Sequence, residues 1–256
     1  MIIRKNADEI GRMARAGEVV AETLALIGEH ARPGVTTGEL DRLADEFVRS
    51  RRGEPTFKGY RGYPASICTS PNEMVVHGIP GPYALGEGDI LSVDVGVTLD
   101  GFVADSAYTF AIGEISAEAE RLLEACQAAL AAGVEQCLPG NRLSDISHAV
   151  QTVTEEAGFS VVRSLVGHGV GRSMHEDPQI PNFGLPGRGP ILAPGMVFAI
   201  EPMINAGGPD IVVHEDEWSI SSEDGSLSAH FEHTVAVTDE GPRILTKSRI
   251  GARLLG

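Results

Sequence analysis

Hydrophobic residues recur every three or four positions in four segments of this chain, which is the spacing of an amphipathic helix. Each segment is introduced by a residue type that favours the N-terminus of a helix. The predicted starts and segments are Asn6 before Ala7 to about His30, Thr37 before Leu40–Phe47, Ser116 before a helix reaching about Ala132, and Ser144 before Ile146–Val153. A Pro-Gly pair ends the first and the third segment, so the pattern predicts two helix pairs.

Runs rich in β-branched and aliphatic residues predict strands, and the longest of these predictions is a hairpin. Its two runs, Ile90–Leu99 and Phe102–Phe110, are joined by Asp100-Gly101, a pair that favours a type I′ turn because both central positions need positive φ. A tight turn makes Asp94 and Asp105 diagonal neighbours on one face, with Cα atoms about 7–8 Å apart. The other predicted strands are Ala65–Thr69, Val161–Val166, Met196–Ile200, Ile211–Ser219 and Ala229–Val237, with Pro178–Pro194 as a connection rich in proline and glycine.

The two halves of the chain carry the same motifs in the same order. The helix breaks at Pro33 and Pro139 are 106 residues apart, and the run LGEGDILSVD aligns with LAPGMVFAIE, which begins 107 residues later. We infer a duplicated unit, with halves of about 1–112 and 113–256 in a single α+β domain (1–256) that has a pseudo-twofold axis. The alignment makes Asp94 equivalent to Glu201, so that the two acids are expected to face each other across the axis.

Composition and charge argue against several classes of protein. The 256 residues suffice for one large domain with a full core, and a formal net charge of −16 argues against binding nucleic acid through broad neutralisation of phosphates. Three cysteines without CxxC spacing indicate neither a disulfide framework nor a thiolate zinc site. No apolar run approaches the roughly 18 residues of a membrane span, and the first residues lack a signal-peptide core. We therefore expect a soluble, cytoplasmic protein with reduced thiols and no membrane partner.

Five residues with metal-binding side chains end or interrupt predicted strands: Asp94, Asp105, His168, Glu201 and Glu232. A single acid in such a run is most often a residue that faces solvent. Two carboxylates on one face of a valine-rich hairpin, however, are costly without a cation between them. Four carboxylates and one imidazole suit two divalent ions that share bridging carboxylates, with the ions about 3.5–4 Å apart. Because no thiolate is involved, Mn²⁺, Fe²⁺, Co²⁺ and Zn²⁺ all remain open.

Five motifs resemble those of type I methionine aminopeptidases, which have the pita-bread fold. They are GYRGYPASICTSPNEMVVHGIP (59–80), SVDVGVTLDGFVADSAYTF (92–110), GHGVGRSMHEDPQIP (167–181), PGMVFAIEPMINAG (194–207) and SLSAHFEHTVAVT (226–238). The resemblance implies a curved antiparallel sheet covered by two helix pairs. It also implies that Asp94 and Asp105 bind one ion, that His168 and Glu201 hold the second, and that Asp105 and Glu232 bridge the two.

Two further histidines acquire roles from the same resemblance. His175 is expected to hydrogen-bond the scissile carbonyl oxygen, and His77 to contact the peptide beyond the cleaved bond. Glu201 would accept a proton from the attacking water, which both ions acidify, and pass it to the leaving amine. The free α-amine of the substrate would bind a metal near Asp94, which restricts cleavage to N-terminal residues. A lone histidine is more often structural, and that reading stays open for both.

The resemblance also implies a pocket for a methionine side chain. The matching positions are Phe57, Tyr60, Tyr63, Cys68 and Trp218. Aromatic faces and a soft sulfur suit a thioether, although the aromatic residues, Phe57 in particular, could instead be ordinary core. Phe57 and Met174 stand where the commonest bacterial pattern has Cys and Phe. Both remain apolar, so we expect the pocket to change shape and the preference for methionine to survive.

The leading hypothesis is a metal-dependent hydrolase that removes the initiator methionine from nascent proteins with a small second residue. An Xaa-Pro peptidase of the same fold is one alternative, although those enzymes usually carry a separate N-terminal domain. A non-catalytic peptide-binding module is the other, although such relatives generally lose metal ligands. We expect two divalent ions per chain, the N-terminal methionine of nascent chains as partner, at most a transient ribosome contact, and a monomer.

Overall fold

The computed structural model describes residues 1–247. Within this range, four long helices lie where the hydrophobic pattern predicts them and form the two expected pairs. They are α1 (Ala7–His30), α2 (Thr37–Ser50), α3 (Ala117–Glu135) and α4 (Leu143–Glu156), and a 3₁₀ turn spans Tyr60–Gly62. Among the helices of the described range, none combines the length and the apolar character that crossing a bilayer requires.

Reciprocal capping bonds decide where the first two helices begin. The Asn6 side chain accepts the Glu9 N–H at 3.0 Å and the Glu9 carboxylate accepts the Asn6 N–H at 2.9 Å, so Asn6 caps α1 as predicted. The cap of α2 is Thr36, not Thr37, because Glu39 lies three residues after Thr36 and completes the same pair of bonds. α4 likewise begins one residue earlier than predicted.

The described strands pair only in the antiparallel sense and fall into four hydrogen-bonded groups, which with the helix pairs gives the predicted α+β class. The strands are β1 (Glu54–Pro55), β2 (Cys68–Pro71), β3 (Met74–Val76), β4 (Ile90–Leu99), β5 (Phe102–Ala111), β6 (Ser160–Val161), β7 (Val166–Gly169), β8 (Glu176–Pro181), β9 (Val197–Ile200), β10 (Met203–Asn205), β11 (Ile211–Val213), β12 (Ile220–Ser222), β13 (Ser228–His230), β14 (His233–Thr238) and β15 (Gly241–Ile244). Their orders are β1-β4-β2 with β5 on β4, β13-β10-β6, β11-β12-β3, and β15-β14-β9-β7-β8.

The hairpin of β4 and β5 has the predicted register without a bulge. Asp105 pairs with Gly96, two residues from Asp94, which makes the two aspartates diagonal neighbours on one face. Asp100 and Gly101 have φ of 50° and 76°, the positive values that a type I′ turn requires. This prediction is confirmed.

Several other predicted strands are interrupted or displaced. The predicted strand Ala65–Thr69 is displaced, because β2 begins at Cys68 and ends at Pro71. The predicted run Val161–Val166 splits into β6 and β7, and the run Ile211–Ser219 ends after three residues, in a turn. The run Ala229–Val237 is interrupted at Phe231 and Glu232, which leave the ladder between β13 and β14.

The connection rich in proline and glycine contains a strand that the sequence pattern did not predict. β8 occupies its first part and pairs with β7 at the edge of the five-stranded group. Pro178 and Pro181 lack an N–H, but an edge strand has a side on which no ladder bond is required. Proline therefore does not exclude a strand at this position.

Each helix pair packs on its own strands. α1 and α2 cover β4 and β5 through a core that includes Leu24, Leu91 and Phe110. α3 and α4 cover strands of the second half through a core that includes Leu122 and Phe198. Each half of the chain therefore has its own core between a helix pair and its strands.

The loops that connect the helix pairs to the sheets are arranged alike in the two halves. Thr36 forms a bridge to Ala84, and Arg142 forms one to Ile191, so the partners are related by the same offsets of 106 and 107 residues as the sequence motifs. This correspondence supports our proposal of a duplicated unit within a single domain. Residues 248–256 of the proposed second half lie outside the described range.

Candidate active site

A cavity of about 310 Å³ is lined by residues from both halves of the chain. Every residue that the sequence predicts for the site borders this cavity, and so does Met174. By predicted role they are the metal ligands Asp94, Asp105, His168, Glu201 and Glu232, the flanking histidines His77 and His175, and the pocket residues Phe57, Tyr60, Tyr63, Cys68 and Trp218. Residues far apart in sequence thus converge on one place in the fold.

The β4–β5 hairpin contributes Asp94 and Asp105. Asp105 is 2% exposed, and its carboxyl lies within hydrogen-bond reach of the Asp94 carboxyl. The Asp105 N–H donates to the Thr234 hydroxyl at 2.9 Å and that hydroxyl donates to the Asp105 carbonyl at 2.8 Å, so β14 fixes the backbone here. Within residues 1–247, Oδ1 of each aspartate is buried without a hydrogen-bond partner. Each aspartate therefore keeps an oxygen that can bind a cation.

The second half contributes His168, Glu201 and Glu232. His168 Nε2 lies 3.5 Å from Glu201 Oε1 and 3.9 Å from Asp105 Oδ2. His168 Nδ1 lies 3.0 Å from the carbonyl oxygen of Gly169, which places the proton on Nδ1 and leaves the lone pair on Nε2. One ligand atom each of Asp105, His168 and Glu232 lie within 4.8 Å of one another. That spacing is compatible with a shared ion.

The charges of this cluster favour a bound cation. Burial raises the pKa of Asp105, Glu201 and Glu232 well above the usual range, and neighbouring carboxylates raise these pKa values further. Burial also raises the pKa of Asp94 and lowers the pKa of His168 to about 4. A divalent metal ion would bind the carboxylate oxygens that lack donors and the neutral imidazole, and its charge would offset the repulsion between the carboxylates. The residues present therefore fit such an ion.

Two glycines set the position of His168. A Cβ at Gly167 would lie 2.5 Å from the carbonyl oxygen of Ala199 in β9, and a Cβ at Gly169 would lie 2.1 Å from that of Asp177 in β8. Both distances are shorter than any real Cβ contact, so only glycine lets β7 run between its two neighbours. The GHGVG motif therefore serves the close approach of backbones around a site residue.

Tyr60 holds His175 in place. Tyr60 Oη lies 2.8 Å from His175 Nδ1, and the two rings stack with centroids 5.4 Å apart. Burial lowers the pKa of His175, which favours the neutral ring. In the tautomer that carries the ring proton on Nε2, Nδ1 accepts the hydrogen bond of the tyrosine hydroxyl. The His168 ring centroid is 4.2 Å from that of His175. In that tautomer His175 offers an N–H donor beside the acid cluster.

His77 and the aromatic residues form the remaining lining. His77 has a φ of 60°, lies edge-on to Trp218 at 6.5 Å, and has its pKa lowered to about 4 by burial. Tyr63 makes T-shaped contacts with Phe57 at 6.5 Å and with Trp218 at 5.1 Å. Burial raises the pKa of Cys68, which keeps it a thiol. Phe57 belongs both to the cavity lining and to a core cluster, so the two readings of this residue are compatible.

Two residues that the sequence did not single out support the site. Asp216 accepts the N–H of Trp218 at 2.9 Å and the N–H of Ser219 at 2.8 Å, which fixes the turn that carries the tryptophan. An aspartate two residues before Trp218 is an Asx-turn signal that could have indicated this role. His230 Nε2 lies 3.7 Å from Glu201 Oε2, and burial lowers its pKa to about 3. The sequence carries no signal that pairs these two residues.

The chain matches a family model and many curated relatives over nearly its whole length. The model of metallopeptidase family M24 matches residues 11–239. The methionine aminopeptidase of Clostridium acetobutylicum is 53% identical over 247 residues, which are 96% of this chain and 99% of that protein. Methionine aminopeptidase 1 of Bacillus subtilis is 50% identical over 96% of this chain and 100% of its own.

Solved structures agree with the sequence relatives. The crystal structure of methionine aminopeptidase from Thermotoga maritima has a TM-score of 0.95 at 44% identity and covers 97% of this chain and 100% of that one. The prolidase from Pyrococcus furiosus, at 20% identity and a TM-score of 0.73, shares the fold, although this chain covers only 66% of it. The predicted pita-bread fold is confirmed. With the family model and these relatives covering almost all of the described residues, the protein belongs to metallopeptidase family M24.

Proposed function

We propose that the protein is a methionine aminopeptidase that removes the initiator methionine from nascent chains with a small second residue. The observation that carries this proposal is the single cavity that joins a buried acid cluster to an aromatic pocket. The acid cluster suits hydrolysis assisted by metal ions, and the pocket suits an apolar thioether. Relatives at 42–53% identity that are named methionine aminopeptidases support the same substrate.

We assign the metal-binding role to the five predicted ligands, Asp94, Asp105, His168, Glu201 and Glu232, and propose that they hold two divalent ions. Cobalt, manganese, iron and zinc are all compatible with this set of oxygen and imidazole donors. When bound, such ions would lower the pKa of a coordinated water and polarise the scissile carbonyl.

The chain's own side chains would then orient the substrate and move the protons. Glu201 takes the proton of the attacking water and gives it to the leaving amine. His175 donates its Nε2–H to the scissile carbonyl oxygen, where negative charge develops. His77 contacts the peptide beyond the cleaved bond, and the free α-amine binds at the Asp94 end of the site. Recognition of that amine accounts for cleavage at N-termini alone.

The aromatic pocket would select the side chain of the first residue. Tyr63 and Trp218 present ring faces and edges, and Cys68 adds a polarisable sulfur, which together favour a thioether over a charged or branched side chain. Phe57 and Met174 complete the lining with apolar surface. We further propose that the protein works as a cytoplasmic monomer and meets the ribosome transiently, through this same domain.

Hydrolysis of three tripeptides by the metal-loaded protein tests the function. Met-Ala-Ser should be cleaved with a kcat/KM at least about 100-fold above the values for Ala-Pro-Ser and Met-Leu-Ser. Ala-Pro-Ser lacks the methionine side chain, and Met-Leu-Ser has a bulky second residue. Cleavage of Ala-Pro-Ser alone would assign the protein to the Xaa-Pro peptidases. Absence of cleavage with any of the four metals would favour the peptide-binding module.

Tyr60→Phe should lower kcat for Met-Ala-Ser by about 3–10-fold and leave KM within twofold, since it removes one hydrogen bond to His175 and retains the ring. Steady-state kinetics over a range of peptide concentrations separate the two parameters. Tyr83→Phe is the matched control, because Tyr83 is exposed and bonds to Asp89 outside the cavity. A Tyr60→Phe enzyme with unchanged kcat, or with a change in KM alone, contradicts the proposed role.

A further inference from the structure

His230 is a buried histidine to which the proposed mechanism gives no role. It ends β13, where it pairs with Met203 of β10, and it lies two residues before Glu232. Met203 in turn lies two residues after Glu201. His230 therefore stands where the segments that carry two of the proposed ligands run side by side.

The backbone of His230 is held rigidly. Its N–H donates to the Thr109 hydroxyl at 3.0 Å, and that hydroxyl lies 2.8 Å from its carbonyl oxygen. Thr109 itself belongs to β5, the strand of Asp105. These two bonds tie the backbone of His230 to the strand that carries Asp105.

The ring nitrogen of His230 has one polar neighbour suited to it. His230 is 2% exposed, and among the described residues its Nε2 is buried without a hydrogen-bond partner. Glu201 Oε2 lies 3.7 Å from this nitrogen. The other oxygen, Oε1, is 3.5 Å from His168 Nε2. Two histidines therefore approach opposite oxygens of one carboxylate.

A separation of 3.7 Å exceeds the 2.7–3.2 Å of a formed N–H···O bond, and hydrogen bonds in free enzymes are often long until the working complex forms. Buried polar atoms in native proteins are generally paired, and groups that bind metal-ligating side chains orient them and tune their basicity.

We propose that His230 is a positioning residue for Glu201. Its Nε2–H donates to Glu201 Oε2, which keeps Oε1 turned toward His168 and the cavity. This inference rests on the proposed function in one respect, which is that Glu201 is taken to be a metal ligand and the general base. It concerns metal binding as much as catalysis, so it can be tested without any peptide.

Three substitutions at position 230 separate positioning from packing. His230→Leu keeps bulk and removes the donor, His230→Gln keeps an amide N–H at the reach of Nε2, and His230→Asn places its amide one carbon short. His148→Leu is the control, because His148 is an exposed residue of α4. Calorimetric titration of the metal-free full chain with Mn²⁺ measures affinity, kinetics with Met-Ala-Ser give kcat and KM, and melting gives Tm.

We expect the Leu and Asn variants to bind Mn²⁺ about 10-fold more weakly and to lose about 10–100-fold in kcat with KM within twofold. The Gln variant should remain within about threefold of wild type in Mn²⁺ affinity and in kcat, and its Tm should be similar to that of the Leu variant. Wild-type values for the Leu variant, or equal losses in the Leu and Gln variants, overturn the proposal.

If wild-type protein binds Mn²⁺ but cleaves no methionyl peptide, the proposed function fails and the Mn²⁺ series still decides the role of His230. If it binds none of Mn²⁺, Co²⁺, Fe²⁺ and Zn²⁺, both fail; if it binds another of these ions but not Mn²⁺, the same series is run with that ion.

Discussion

Asp105→Asn is expected to abolish hydrolysis of Met-Ala-Ser and to lower the amount of bound divalent metal. The substitution keeps the size of a side chain that is 2% exposed, so packing is preserved. It removes one negative charge and replaces an anionic oxygen by an amide from the residue proposed to bridge the two ions. Asp105 also has a ligand atom within 4.8 Å of those of His168 and Glu232, so its loss weakens the whole cluster.

The same variant should fold at least as stably as the metal-free wild type. Burial raises the pKa of the Asp105 carboxyl, and the nearby carboxylates of Glu232 and Asp94 raise it further. A carboxyl whose pKa is raised by folding stabilises the fold at acidic pH, and that contribution is lost as the pH rises through the raised pKa. The Tm advantage of Asp105→Asn over the metal-free wild type should therefore grow as the pH rises above the ordinary pKa of an aspartate, about 3.9.

Metal analysis after dialysis, peptide kinetics and melting curves measure these three effects together. Asp100→Asn is the matched control, because Asp100 belongs to the same hairpin, is exposed, and has a positive φ that asparagine adopts readily. Full activity with a full complement of metal in Asp105→Asn would refute the proposed ligand set. Loss of activity accompanied by unfolding would show that the residue acts through stability.

His175→Ala should lower kcat for Met-Ala-Ser by about 10²–10³-fold, the usual loss when one donor to a developing oxyanion is removed. The structure supports this role because Tyr60 Oη lies 2.8 Å from Nδ1 and can donate to it, which is the arrangement that leaves the ring proton on Nε2. His175→Gln, which retains an amide donor, should lose less. KM should change little, since the bond strengthens in the transition state.

Metal content must be measured alongside, because the His168 ring lies 4.2 Å from that of His175. A His175→Ala enzyme with full metal and reduced kcat matches the expectation. Unchanged kcat would remove His175 from the reaction, and a loss confined to KM would make it a binding residue. His148→Ala provides the surface control for a histidine truncation.

The helices and the central hairpin could be predicted from sequence because local interactions determine them. Asn6 and its capping partner fix the start of α1, and Asp100-Gly101 permits a single tight turn with a definite register. The error at α2 has the same local origin, since Thr36 and not Thr37 has the capping partner three residues on. β8 could not be predicted, because its strand character comes from pairing with β7 and not from its own composition.

The candidate site could be predicted only in part. The hairpin geometry indicated a cation between Asp94 and Asp105, the repeat made Glu201 the counterpart of Asp94, and positions in predicted strands added His168 and Glu232 as candidates. Which of these residues share which ion depended on resemblance to a family. The role of His230 could not be predicted, because its proximity to Glu201 arises from the pairing of β13 with β10, a contact between segments far apart in sequence. The role of Asp216 was not predicted, because Asp216 acts on the pocket indirectly, by fixing the backbone turn that carries Trp218.

The bulge-free turn at Asp100-Gly101 has a consequence for changes in chain length. Asp105 lies five residues beyond Asp100, roughly 16 Å along the strand at about 3.3 Å per residue, so the turn itself is remote from the cavity. Surface loops usually accept insertions. Here an added residue that is not absorbed as a bulge would shift the pairing by one and turn Asp105 to the opposite face of the sheet. For protein engineering, this exposed hairpin tip therefore accepts only insertions that keep the β4–β5 register, although no atom of it takes part in the proposed chemistry.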